Sequence, residues 1–234
     1  MVMRLQVCFS ASLLAVAALA LCTGTPAQAQ VTATPTTGNG TYISTDPLAN
    51  VRYDNRFDVS LGAAYDHMKA GPTVLHGSNL GGLDLSASYW FSKHWALQGS
   101  GRYYVGTSGV GQPNDQGVKG PFVDEIFFTG GPEWLGPHNK HGAISAHLLA
   151  GGARFNSHVW PLTAETANFY NDQIAPAAII GGHFDLNRSP RWVFRVTPDA
   201  VLTHYSINYG PKTAQFDVNF AISVGIEYKF KTKR

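Results

Sequence analysis

The chain has 234 residues, a formal net charge of +2, 14% charged residues, 12% aromatic residues and 25 glycines. Its lysines and arginines are scattered rather than striped, which excludes the electrostatic footprint of a nucleic-acid partner. A soluble domain carries about 25% charged residues. So little charge beside so much Tyr, Trp, Phe and Gly fits a barrel with a lipid-facing exterior.

Residues 1–29 have the three parts of a secretory signal peptide. Arg4 charges the n-region, Val7 to Leu21 form an apolar run, and Ala27-Gln28-Ala29 supplies the small-x-small cleavage pattern before Gln30. The apolar run is shorter than the roughly 20 residues of a spanning helix, and polar, proline-containing sequence follows it. A cleaved leader is therefore expected rather than an anchor. Leu21 before Cys22 is too large for the small residue that usually precedes a lipidated cysteine. Cys8 and Cys22 are the two cysteines of the chain and both lie in the leader. The mature protein thus has neither disulfides nor thiolate-metal sites. Residues 30–51 are rich in Thr, Pro, Gly, Asn and Ser and read as a flexible lead-in, which leaves 52–234 as the folded domain.

Within that domain, segments of alternating hydrophobicity are separated by turn-formers. In the first, Phe57, Val59, Leu61, Ala63 and Tyr65 alternate with Asp58, Ser60, Gly62, Ala64 and Asp66. The second sets Leu83, Leu85, Ala87, Tyr89 and Phe91 against Asp84, Ser86, Ser88 and Trp90. The third sets Trp95, Leu97, Tyr103 and Val105 against Gln98, Ser100 and Arg102. Four further strands are expected around Phe122–Leu135, His141–Phe155, Ile174–Leu186 and Arg191–Ser206. Gly130-Gly131, Gly151-Gly152 and Gly181-Gly182 interrupt three of these, as tight curvature in a narrow barrel requires. The last segment is the most regular. Phe216, Val218, Phe220, Ile222, Val224, Ile226, Tyr228 and Phe230 share one face; Asp217, Asn219, Ala221, Ser223, Gly225, Glu227 and Lys229 share the other. Period-two alternation of this length exceeds a soluble strand and reaches the 9–11 residues of a tilted membrane strand.

Connection lengths alternate too. Ser92-Lys93-His94, Gly136 to Lys140, and Asn187 to Pro190 are short. Lys69–Leu80, Thr107–Lys119 and Asn156–Asp172 are longer, with a shorter one at Asn208–Thr213. Brief turns on one side and longer loops on the other describe an all-β, eight-stranded antiparallel up-and-down transmembrane barrel. Tyr89, Phe91, Trp95, Trp134, Trp192, Tyr228 and Phe230 would all sit near the short turns as an interfacial girdle. Lys93, Lys140, Arg188, Arg191 and Lys231 would meet head groups or cell wall on that side.

The end of the chain, Ser223-Val224-Gly225-Ile226-Glu227-Tyr228-Lys229-Phe230, resembles the C-terminal signal read by the barrel-assembly machinery. Ser223, Gly225, Tyr228 and Phe230 fall on its polar, glycine and two aromatic positions, and Lys231-Thr232-Lys233-Arg234 extend past it. The mature chain is also similar to the small barrels typified by the transmembrane domain of the outer-membrane protein A class. That similarity is carried by residues 146–153 and 194–230. The resemblance implies export to the outer membrane of a Gram-negative-type bacterium. It also implies outer-membrane lipid, lipopolysaccharide and the assembly machinery as partners.

The strand phase turns Asp58, Asp84, Arg102, Glu125, Glu133, His147, His183, Arg195, Asp199 and Glu227 toward the interior. In an eight-stranded barrel the lumen is just wide enough for side chains to fill it, so these charges are expected to pair into a polar plug. A hydrated lumen would instead make a narrow passive channel. His204-Tyr205-Ser206 resembles the His-x-Ser of barrels that deacylate lipid A, where histidine activates serine for acyl transfer; Ile207-Asn208 stands here where that family has Asn-Ala. The expectation is a non-enzymatic barrel without cofactor or metal, structural or adhesive, with any external ligand held by the long loops.

Overall fold

The computed structural model describes residues 46–69, 77–108, 120, 122–157, 170, 172–206 and 216–230. The leader, most of the lead-in, the longer loops and the tail 231–234 lie outside the described residues. Eight strands follow in order: β1 Phe57–Met68, β2 Ser78–Trp90, β3 Trp95–Thr107, β4 Phe122–His138, β5 Gly142–Ser157, β6 Gln173–Asn187, β7 Trp192–Thr203 and β8 Asp217–Lys229. Each pairs antiparallel with the next, and β8 pairs with β1, so the sheet is a closed barrel in sequence order. The expected up-and-down architecture is the one observed. No described helix is long and apolar enough to cross a membrane.

The stagger follows from the register. Phe57 pairs with Tyr89, Tyr89 with Leu97 and Leu97 with Pro132. The flanking pairs Gly130↔Ala150 and Glu133↔His147 set Pro132 opposite Leu148. From Leu148 the path runs through Ile180, Ala200 and Phe220 to His67. It returns to β1 ten residues above its start (67 − 57). Strand number and stagger together set the tilt and width of a barrel, and eight strands give an interior that side chains can fill.

Alternation along each strand sorts side chains inward and outward. Outward positions are apolar and solvent-accessible: Leu61, Leu83, Leu85, Leu97, Phe128, Leu148, Ile180, Phe220 and Ile226 are all about half exposed or more. Among the outward residues of the eight described strands the only charges are Asp124 and Arg154, both near the long-loop ends. At the other end Phe57 pairs with Tyr89, Trp95 with Trp134, and Trp192 with Tyr228, which makes the expected aromatic ring. Trp90 does not join it. Its phase points inward and it is buried at the short-turn mouth.

Local chemistry closes the short turns. Ser92 Oγ accepts from the amides of His94 and Trp95, and Ser189 Oγ from those of Arg191 and Trp192. Asn139 Oδ1 accepts from the amides of His141 and Gly142 at 2.7 and 3.1 Å. Short polar side chains at these positions satisfy amides that a two-stranded ladder leaves free. The second turn is tighter than the expected Gly136–Lys140. β4 continues to His138 because a bulge between Leu135 and His138 absorbs one residue of register. β7 ends at Thr203 rather than Ser206, β1 runs to Met68 at the edge of the expected loop Lys69–Leu80, and β2 begins inside that loop at Ser78.

Three glycines explain how closely the wall packs. Gly62 and Gly225 face each other across the β1–β8 seam, and a Cβ on Gly62 would lie 2.9 Å from Val224 O. A Cβ on Gly181 would collide with the Asp199 carboxylate and with Pro198 O. The absent side chains allow a tight seam at Gly62 and Gly225 and leave space at Gly181 for the carboxylate of its cross-strand partner Asp199.

Candidate functional site

The interior is the place where the chain concentrates its polar chemistry. All ten residues expected to face the lumen, Asp58, Asp84, Arg102, Glu125, Glu133, His147, His183, Arg195, Asp199 and Glu227, are buried there. They fall into layers that follow from their strand positions.

Nearest the short turns, Arg195 forks onto Asp185, with Nε donating to Oδ1 at 2.7 Å and Nη2 to Oδ2 at 2.9 Å. The same Nη2 donates to Glu227 Oε2 at 2.7 Å. Asp58 Oδ2 accepts from Trp90 Nε1 at 2.5 Å and from Asn55 Nδ2 at 3.1 Å, and Glu133 Oε2 accepts from Ser88 Oγ at 2.7 Å. A charge buried without partners costs several kcal/mol, and these donors offset much of it.

A second layer is built around Arg102 and two imidazoles. Arg102 Nη2 lies 2.5 Å from Asp199 Oδ2, and its Nε lies 3.5 Å from Asp84 Oδ1. Asp84 also accepts from Ser100 Oγ and Ser223 Oγ. His147 Nε2 is 3.0 Å from Asp199 Oδ1 and its Nδ1 is 3.2 Å from His183 Nε2. His183 Nδ1 in turn meets Thr197 Oγ1 at 2.9 Å. Four strands, β3, β5, β6 and β7, thus share one chain of ion-pair contacts and hydrogen bonds.

Toward the long loops the filling changes character. Met68, Leu80, Val123, Phe127, Leu149, Ala153, Phe155, Ile179 and Val201 form a buried apolar cluster with Tyr170 and Tyr205. Phe155, Tyr170 and Tyr205 pack as a triangle of rings with centroids 5.1 to 5.8 Å apart. Glu125, placed among them, accepts from Tyr205 OH at 2.8 Å. The interior is therefore not the uniformly polar plug that the strand phase suggests; its loop-side half is largely apolar.

The charges are also unbalanced. Buried carboxyls number eight among the described residues (Asp58, Asp66, Asp84, Glu125, Glu133, Asp185, Asp199 and Glu227) against three permanent cations, Arg102, Arg195 and Lys229. Asp66 and Lys229 stand on the polar faces already read for the first and last strands, and Asp185, in phase with His183 on β6, could have been found the same way. Nothing in the pattern announces Tyr53 and Asn55, which precede the first strand.

Those two belong to a segment that covers the short-turn mouth. Tyr53 OH donates to Asn139 O at 3.1 Å and accepts from Asn187 Nδ2 at 2.7 Å. Lys229 Nζ sits 4.2 Å from the centre of its ring and donates to Asn187 Oδ1. The ring packs against Trp90, Ala96, Leu135 and Ala143. Half-burial pushes the Tyr53 phenol above its ordinary range. Farther out, Asp46 pairs with Lys140 at 3.0 Å, and the Leu48 amide and that ammonium hold its carboxyl below the usual range.

The positions expected to resemble an assembly signal fall on β8 and just after it. Ser223 faces the lumen and donates to Asp84, and Gly225 faces Gly62 across the seam. Tyr228 stacks between Trp192 and Phe230, whose amide donates to Phe57 O at 3.0 Å.

His204 and Ser206 face outward at the long-loop rim, but the geometry does not join them as base and nucleophile. Ser206 Oγ donates to Gln173 Oε1 at 3.0 Å, while the His204 ring lies against Phe216 at 4.4 Å. Among the described residues no group of three or more His, Cys, Asp or Glu is placed to hold a metal.

No protein-family model and no curated protein sequence matches the chain. Solved structures do. The chain is similar to Ail, the attachment invasion locus protein of Yersinia pestis, in complex with the heparin analogue sucrose octasulfate. The two share 17% identity over 76% of this chain and 99% of that one, with a TM-score of 0.46. Outer membrane protein OprG from Pseudomonas aeruginosa gives 13% identity, 78% and 99% coverage and a TM-score of 0.48. Neisserial surface protein A gives 14% identity, 74% and 97% coverage and a TM-score of 0.45.

Proposed function

We propose that this chain is an integral outer-membrane barrel with a closed interior, a structural or adhesive scaffold rather than a pore or an enzyme. One observation carries the reading: the inside is filled while the outside is apolar. Strands of 12 to 17 residues present an outward surface whose only charges sit at the loop end, with an aromatic ring at the other. Such a surface is unstable in water and stable in a bilayer. Inside, the described residues pack ion pairs, hydroxyls and an apolar layer. The loops expected at Lys69–Leu80, Thr107–Lys119 and Asn156–Asp172 are then where external partners are to be sought. Residues 1–29 act as the export signal, and Ser223, Gly225, Tyr228 and Phe230 as the signal for the assembly machinery.

Planar-bilayer recording of the refolded mature chain tests this. The expected result is a silent membrane from protein whose gel mobility shifts on heating, as a folded barrel's does. Steady unitary currents would overturn the closed reading in favour of a narrow channel. Release of fatty acid from lipid A, abolished by Ser206→Ala, would overturn the non-enzymatic one.

A further inference from the structure

We infer that a cleft beside the short-turn mouth binds the phosphodiester headgroup of an anionic phospholipid in the leaflet that meets those turns. The inference rests on the membrane-barrel reading above. The cleft has a volume of about 570 Å³ and lies between the N-terminal segment, the β6–β7 turn and the end of β8. Arg52 and Asp54 line it from the segment, Arg191 from the turn, and Lys229, Trp192 and Phe230 from the strand ends. Three cations thus converge on one concavity against a single carboxylate.

The cations differ in what they have to offer. Lys229 is committed to Asn187 and to the Tyr53 ring, so it contributes field rather than a free donor. Arg191 makes one long contact, Nη1 to Tyr228 OH at 3.4 Å, which leaves most of its donors open. Arg52 is exposed on the facing segment. Two guanidinium groups from separate elements suit a phosphate, whose oxygens accept their paired N–H donors.

The walls distinguish a lipid from a free anion. Trp192 and Phe230 are 50% and 43% exposed and belong to the ring of aromatics that marks the bilayer interface. Above them the outward faces of β7 and β8 continue as Phe194, Val196, Val224 and Ile226, a path for acyl chains. A basic pocket at interfacial depth with an apolar track leading from it is the arrangement that holds a lipid headgroup.

The test uses the mature chain from Gln30, folded in detergent micelles and offered equal phosphatidylglycerol and phosphatidylcholine, with retained lipid read by native mass spectrometry. One phosphatidylglycerol retained in preference to phosphatidylcholine is expected. Arg52→Ala and Arg191→Ala should each lower that preference about fivefold, and Asp54→Asn should raise it. Heat-dependent gel mobility monitors folding of every variant. Equal retention of the two lipids, or a preference untouched by both arginine changes, would overturn the inference. Displacement of phosphatidylglycerol by millimolar inorganic phosphate, with no dependence on the acyl chains, would make this a phosphate site and not a lipid site. Failure of the chain to insert into vesicles would instead sink the membrane-barrel reading itself, a separate outcome.

Discussion

Arg195 shows what a single residue does among buried carboxylates. Its guanidinium satisfies Asp185 through two hydrogen bonds and Glu227 through a third. Arg195→Met keeps the bulk and deletes the charge, stranding two carboxylates. The expected cost is about 3–5 kcal/mol, read from urea unfolding of the barrel in lipid vesicles; a cost below about 1 kcal/mol would mean the carboxylates find other partners. The glycines offer a sharper contrast. Gly181→Ala drives a methyl into Asp199 and so into the pair that holds Arg102 and His147, whereas Gly152→Ala meets neighbours at ordinary contact distances of 3.8 and 4.0 Å. The first should destabilise by about 2–3 kcal/mol, the second by well under about 1 kcal/mol. Equal effects in the same unfolding assay would show that the collision is relieved by movement of the wall.

At the level of the element, each strand carries two unrelated instructions in alternate residues. Leu85 lies at mid-strand on the outward face of β2, and Ser86 beside it bonds to its cross-strand partner Ser60 on the inward face at 2.6 Å. Leu85→Arg should impair folding into vesicles by about 2–4 kcal/mol, the cost of a cation at bilayer mid-depth. In detergent-free buffer the same change would ease solubility. If Leu85→Arg folded into bilayers as well as the parent chain, the outward face would not be a lipid face.

In the closed reading proposed above, the described residues block the barrel twice, at opposite ends and by different means. A hydrogen-bonded tyrosine covers the short-turn mouth, and a packed cluster of rings and aliphatic side chains fills the loop-side half. Opening one end is then insufficient to pass ions. Tyr53→Ala removes the contacts to Asn139, Asn187 and Lys229 and is expected to cost about 1–3 kcal/mol. It should leave a planar bilayer silent. Conduction after that single change would identify the N-terminal cap as the sole barrier and the apolar layer as permeable.

The strand count, the closed topology, the two faces and the ten expected lumen residues were all legible from alternation, because a period of two is a local property of the chain. So were the aromatic ring and the short turns, to within a few residues. Partnership was not. That Arg195 serves Asp185 and Glu227, that Arg102 reaches Asp199, and that His147 meets His183 depend on a ten-residue stagger that accumulates around the whole barrel. No single strand encodes it. The same holds for the apolar half of the interior, where Phe127, Phe155 and Tyr205 read as ordinary strand residues until the register stacks them at one level. Tyr53, Asn55 and the cleft beside them lay furthest from view, since they arise where an aperiodic segment folds back over a mouth that exists only once β1 and β8 have met. Alternation determined which way each side chain points; closure of the barrel decided what it meets there.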